Sequence, residues 1–238
     1  MSVLSALLAA VTTQSNNKVK ILILTGQSNA VGAALNSNAT TQELDEQSNV
    51  NIFQYDTVEF EKLNIGLHNN YSSSTTHGLE LGLGQQLEEE IYLIKYGINS
   101  TEIDEHLPGG TVYNNLKNSF VDPAIVKLNE LNIDYEIYFC YWQGEADANL
   151  EADSLAWAGK LDTLINTWQS NLGADIKFRL IQINAVASAY SANINNAIEA
   201  KAATSNLIDF IASKDLGSNL HFNYTNMKII SQLLINSL

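Results

Sequence analysis

The sequence predicts an α/β fold, a three-layer α/β/α sandwich on a central parallel sheet, and three observations predict it. Residues 19–25 (VKILILT) are a nearly continuous apolar run ending at Gly26, the pattern of a strand covered on both faces. Further short apolar runs follow at 51–55, 92–96, 135–142, 177–184 and 207–212. Between them lie segments with helical spacing, at 79–91, 122–131, 152–172, 192–205 and 224–238, and strands that alternate with helices build a doubly wound sheet.

Taken in order, residues 1–18 are an N-terminal extension. Its apolar stretch, 3–11, lacks a basic leader and is far shorter than the roughly 20 residues of a membrane span. A helix, a weak signal peptide and an attachment segment all stay open for it, and a secreted or virion-associated setting is preferred to a cytoplasmic one. Residues 19–238 read as one domain, without repeat, linker or boundary. Segments 36–49 and 67–76 are rich in Asn, Ser and Thr, as loops lining a cleft are, and Pro108, Gly109 and Gly110 mark another turn. Leu155, Leu161, Leu164, Ile165 and Trp168 recur at helical spacing and read as a helix face packed on the sheet. In such a sheet the loops at the carboxyl ends of the strands form the ligand crevice.

Charge narrows the partners. Twelve basic residues against 26 acidic ones give a net charge of −14, which repels phosphate backbones and anionic membrane surfaces, so neither nucleic acid nor a membrane is expected. A neutral substrate is little affected, whereas a strongly acidic polysaccharide needs local compensation from the few lysines. Cys140 is alone in the sequence, which excludes an intrachain disulfide, and it sits in an apolar run as a core residue. His68, His77 and His106 fall in loops without ligand spacing, so no metal site is expected.

Three segments carry chemistry. Gly26-Gln27-Ser28-Asn29-Ala30-Val31-Gly32 places Ser28 on the turn after the first strand, where a nucleophile is exposed and a backbone N–H is at hand; capping a helix is the plainer role for the same serine. Tyr141-Trp142-Gln143-Gly144-Glu145-Ala146-Asp147 ends an apolar strand with an amide and a carboxylate straddling a glycine, and Asp147 reads as a helix cap. Asn219-Leu220-His221-Phe222-Asn223 offers His221 as a general base, since an imidazole titrates near neutrality.

These segments, in this order from Ile21 to about Leu234, resemble the SGNH hydrolase superfamily, in its sialate O-acetylesterase-like and acetylxylan esterase branch, carbohydrate esterase family six. The resemblance implies a flavodoxin-like fold and a serine esterase acting on an acetylated carbohydrate without a cofactor. It implies Ser28 as nucleophile, His221 as its base, and an oxyanion hole from the backbone N–H groups of Ser28 and Gly78 with the Gln143 side chain. Glu145 would orient neighbouring loops or the histidine. His77-Gly78-Leu79-Glu80 and Ile94-Lys95-Tyr96-Gly97 add less specific likeness.

The chain departs from the family's pattern at one position. An aspartate usually stands three residues before the histidine, and Ser218 stands there instead. Asp215 or Glu145 substitutes in space, or a Ser-His dyad works with a backbone carbonyl orienting the ring, or the chain is a noncatalytic carbohydrate-binding or virion-associated module that keeps the fold.

Overall fold

The structure, a computed structural model, describes residues 18–67 and 74–238. Most of the N-terminal extension, and His68, lie outside the described residues. In chain order the elements are β1 (Val19–Gly26), α1 (Ser28–Val31), β2 (Ala34–Leu35), α2 (Thr41–Leu44), β3 (Gln47–Gln54), β4 (Glu59–Leu63), β5 (Thr76–His77), α3 (Leu79–Gln86), β6 (Ile91–Gly97) and α4 (Thr111–Asn115). A π-helical stretch, Leu116–Val121, carries α4 into α5 (Asp122–Glu130); then come β7 (Tyr135–Trp142), α6 (Glu151–Leu172), β8 (Lys177–Ile181), α7 (Ser191–Ala202), β9 (Ile208–Ile211) and α8 (Tyr224–Asn236).

Seven strands form one sheet in the order β4-β3-β6-β1-β7-β8-β9, with β1 at its centre between two parallel neighbours. Central position explains its composition. Ile21, Leu22, Ile23 and Leu24 are all buried, because helices cover both faces and no side of the strand meets water. On β7 the two faces separate cleanly. Phe139 packs on Trp168 of α6 at a ring distance of 5.0 Å, while Trp142, on the opposite face, packs on Phe222 just before α8 at 5.2 Å. The chain leaves β1 toward β3 and β6 on one side and later builds β7, β8 and β9 on the other, so the crevice opens beside the carboxyl end of β1.

The layered α/β fold with a central, mostly parallel sheet is as expected, and the structure corrects the sequence reading in five details. Strand β4 was not expected: it pairs antiparallel with β3 at the sheet edge, and its sequence EFEKL carries too much charge to read as a buried strand. The helix expected over 79–91 ends at Gln86, and Ile91 already belongs to β6. Leu155 is 65% exposed, so it is not part of the packed face; Trp157 is buried instead, with Leu161, Leu164, Ile165 and Trp168 as expected. Asp147 caps no α-helix, since α6 begins at Glu151, and its carboxylate is buried, accepting the Ile103 N–H at 3.1 Å. His106, expected in a loop, ends a short 3-10 turn (Ile103–His106) and is buried, and burial pulls its pKa down to about 3, so it stays neutral.

Candidate active site

The turn after β1 is set by Gly26, whose φ is +148°. A Cβ there would meet the Trp142 carbonyl oxygen at 1.8 Å, so only glycine lets β1 and β7 close at this end. The chain then enters α1 with Gln27 as its N-cap and Ser28 as its first residue. Ser28 is therefore not the cap, and its hydroxyl is free for another partner. That partner is His221: Nε2 lies 3.0 Å from Oγ, across 193 residues of sequence.

What holds His221 in place is Asn29. Its carbonyl oxygen accepts the Phe222 N–H at 3.2 Å, and its amide donates to the Leu220 carbonyl at 3.1 Å and to Glu145 Oε1 at 2.7 Å. One buried side chain thus grips the backbone on both sides of the histidine. Sequence reasoning gave Asn29 no role; the available signal was a polar residue following the serine inside an otherwise apolar strand-turn-helix. Among the described residues no carboxylate hydrogen-bonds the His221 ring. Asp215 and Ser218 are exposed and make no bond to it, and Glu145 reaches it only through Asn29. Neither Asp215 nor Glu145 therefore replaces the missing aspartate by direct contact.

Two of the expected oxyanion donors are engaged elsewhere. The Gly78 N–H donates to Glu80 Oε1 at 2.8 Å, and the same carboxylate oxygen pairs with Lys95 at 2.8 Å, both side chains being buried. The Gln143 side chain is fully buried. Its amide nitrogen donates to Asp147 and to the Thr101 carbonyl, and its oxygen accepts the Trp157 indole N–H at 2.8 Å. An amide with both ends so occupied organises the loops around β7 rather than facing a substrate. The Ser28 N–H, at the start of α1, has no hydrogen-bond partner among the described residues, as the first amides of a helix have no intrahelical acceptor.

A cavity of about 320 Å³ opens next to the segments that carry Ser28 and His221, lined by their neighbours and not by Ser28 or His221 themselves. Gln27 and Leu220, which precede Ser28 and His221 in the chain, both line it, as do Glu102, Glu145, Asn149 and Ser188. Gln27 Oε1 accepts the Ala146 N–H at 3.2 Å, which leaves its amide nitrogen as a donor.

Burial raises the Glu145 carboxyl to about 7, against the lowering effect of the Asn29 hydrogen bond. Asp147 is raised to about 6 by the same cause. A carboxyl whose folded pKa lies above its unfolded value keeps a proton in the native state that the unfolded chain has already lost. Stability is then full below the ordinary value of 4.5 and falls as pH rises toward about 7. At about 1.4 kcal/mol per pH unit, Glu145 alone costs roughly 3 kcal/mol above that window. Glu145→Gln is expected to flatten the fall in melting temperature between about pH 5 and pH 8, and parallel melting curves for both proteins across that range would sink the assignment.

The family model for carbohydrate esterases of the sialic acid-specific acetylesterase type matches residues 18–238. Among solved structures, a protein from Arabidopsis thaliana aligns with a TM-score of 0.73 at 17% identity, covering 92% of this chain and 97% of that one. NanS aligns at 0.68 and 12% identity, covering 92% and 96%. A carbohydrate acetylesterase from Xanthomonas citri aligns at 0.62 and 12% identity, covering 90% of this chain and 54% of that one. At these identities the structures speak for the fold. No curated protein matches the sequence.

Proposed function

Because the chain belongs to the sialic acid-specific acetylesterase family of carbohydrate esterases, we propose that it hydrolyses O-acetyl groups on a sugar by way of a covalent acetyl-Ser28. The observation that carries the reading is the 3.0 Å contact between Ser28 Oγ and His221 Nε2. As Oγ attacks the acetyl carbonyl carbon, Nε2 takes its proton, and the carbonyl oxygen becomes an oxyanion that the Ser28 N–H can hold. Collapse expels the sugar oxygen, which receives the proton from His221. Water then attacks the acetyl-serine by the same route and leaves acetate and free Ser28.

The dyad supports catalysis without a carboxylate on the imidazole because Asn29 fixes the histidine through its backbone. The third partner of a triad orients the ring and stabilises its cation; the Asn29 clamp supplies the first effect only. Asn29→Ala also strands the Phe222 N–H and the Glu145 carboxylate. A misplacement of about 1 Å can cost a hundred-fold in rate, so kcat is expected to drop roughly 10- to 100-fold with little change in KM. Full activity in that variant, measured at matched folded fraction, would refute the clamp.

A noncatalytic binding module is the weaker reading, since binding alone gives no reason to hold a hydroxyl at hydrogen-bond distance from an imidazole. The deciding experiment is acetate release from acetylated sugars, and nitrophenol release from nitrophenyl acetate, by the purified chain. Release no faster than from the Ser28→Ala variant ends the esterase reading.

A further inference from the structure

The cavity lined by Gln27 and Leu220, the chain neighbours of Ser28 and His221, carries the negative charge of Glu102, joined by that of Glu145 above about pH 7, and no fixed positive charge. Glu102 and Glu145 line it together with the neutral polar side chains of Gln27, Ser100, Asn149 and Ser188, and neither lysine nor arginine is among its lining residues. The rest of the chain has little to lend. Its twelve basic residues are eleven lysines and Arg179. Every lysine is ion-paired with a carboxylate, none at more than 3.9 Å. Arg179 donates to the Ser237 carbonyl at 2.8 Å. Residues 1–17 and 68–73 contain no lysine or arginine, only His68.

A carboxylated sugar entering this cavity brings its charge against Glu102 and finds no counter-ion to replace its water. The net charge of −14 slows its approach as well. A neutral sugar meets neither obstacle. Its hydroxyls are donors, and the cavity offers carboxylate and amide acceptors; Glu145 Oε2 is buried without a hydrogen-bond partner.

We propose that Glu102, with Glu145 beside it, is a charge filter that admits neutral acetylated sugars and rejects those bearing a carboxylate. The inference rests on the esterase reading of the same site and narrows its substrate class. It departs from the sialic acid in the family's description, because that sugar is itself a carboxylic acid.

Matched ligands separate charge from shape. Mono-O-acetylated methyl glucosides, the corresponding glucuronides and the glucuronide methyl esters are titrated into the Ser28→Ala chain at about pH 8, with acetylated sialic acid and its methyl ester as a second pair. Binding to this variant needs no turnover, so absent hydrolysis by the wild type would count against the esterase reading alone. The uncharged members are expected to bind at least roughly ten-fold more tightly than the acids. The gap should shrink in about 1 M salt, where exposed charges are screened within a few ångströms. Glu102→Lys is expected to narrow or reverse the order, read as the ratio of the two affinities. Equal affinity for an acid and its methyl ester, or failure of every neutral sugar to bind, overturns the proposal.

Discussion

Ser28→Ala is expected to lower kcat for acetyl ester hydrolysis by roughly a thousand- to a million-fold, the range seen when a serine hydrolase loses its nucleophile. The argument is local. Among the described residues Ser28 is the one hydroxyl that hydrogen-bonds the His221 imidazole, and alanine leaves the ring without that proton donor at 3.0 Å. The residual rate comes from binding and from amides able to hold an oxyanion, which the substitution leaves in place. His221→Ala should cost nearly as much, and the double variant little more than either, because two groups that act as one unit do not contribute additively. Circular dichroism spectra and melting temperatures should stay near wild type, as neither side chain belongs to the core. A Ser28→Ala enzyme that keeps more than about a tenth of its rate would place the chemistry elsewhere, since no triad serine is so dispensable.

Lys95→Ala is expected to be the most damaging single change to stability outside the aromatic core. Lys95 and Glu80 are both buried, and burial presses the lysine pKa down while the carboxylate beside it pushes it up. Removing one member of a buried pair leaves the other as an uncompensated charge, at a cost of roughly 3–5 kcal/mol. For a chain of this length that is a fall in melting temperature of roughly 6–20 °C. The consequence reaches the active site, because Glu80 also holds the Gly78 N–H at the mouth of α3. Replacing both residues with apolar side chains of similar volume should recover most of the loss, since a buried pair often breaks even with a packed apolar one. Urea unfolding distinguishes the cases. A single-variant loss below about 1 kcal/mol would mean that water reaches the pair and the site is not the low-dielectric pocket that its burial implies.

How far the sequence reaches depends on what kind of signal each residue carries. Ser28 and His221 were legible because their neighbours announce a strand end and a turn, and the family's motifs supplied the pairing. The strands at 19–25 and 135–142 were legible because a strand buried on both faces must be apolar at every position. Strand β4 was not, because an edge strand keeps one side in water and tolerates charge. Leu155 and Trp157 could not be sorted by spacing alone, since both satisfy a helical period and only the helix's rotation about its axis separates them.

The sequence alone determined the α/β fold and the central strand, since periodicity and turn chemistry are properties of neighbouring residues; it offered Ser28 and His221 as candidates, and their pairing came from the family resemblance. Only the tertiary structure decided which polar groups remain available. Gly78 is bound by Glu80, Gln143 by Asp147 and Trp157, and Asn29 joins Glu145 to the backbone around His221, none of which is written in spacing. The reason is physical: a buried polar group must find a partner, and which partner it finds depends on elements that fold together from opposite ends of the chain.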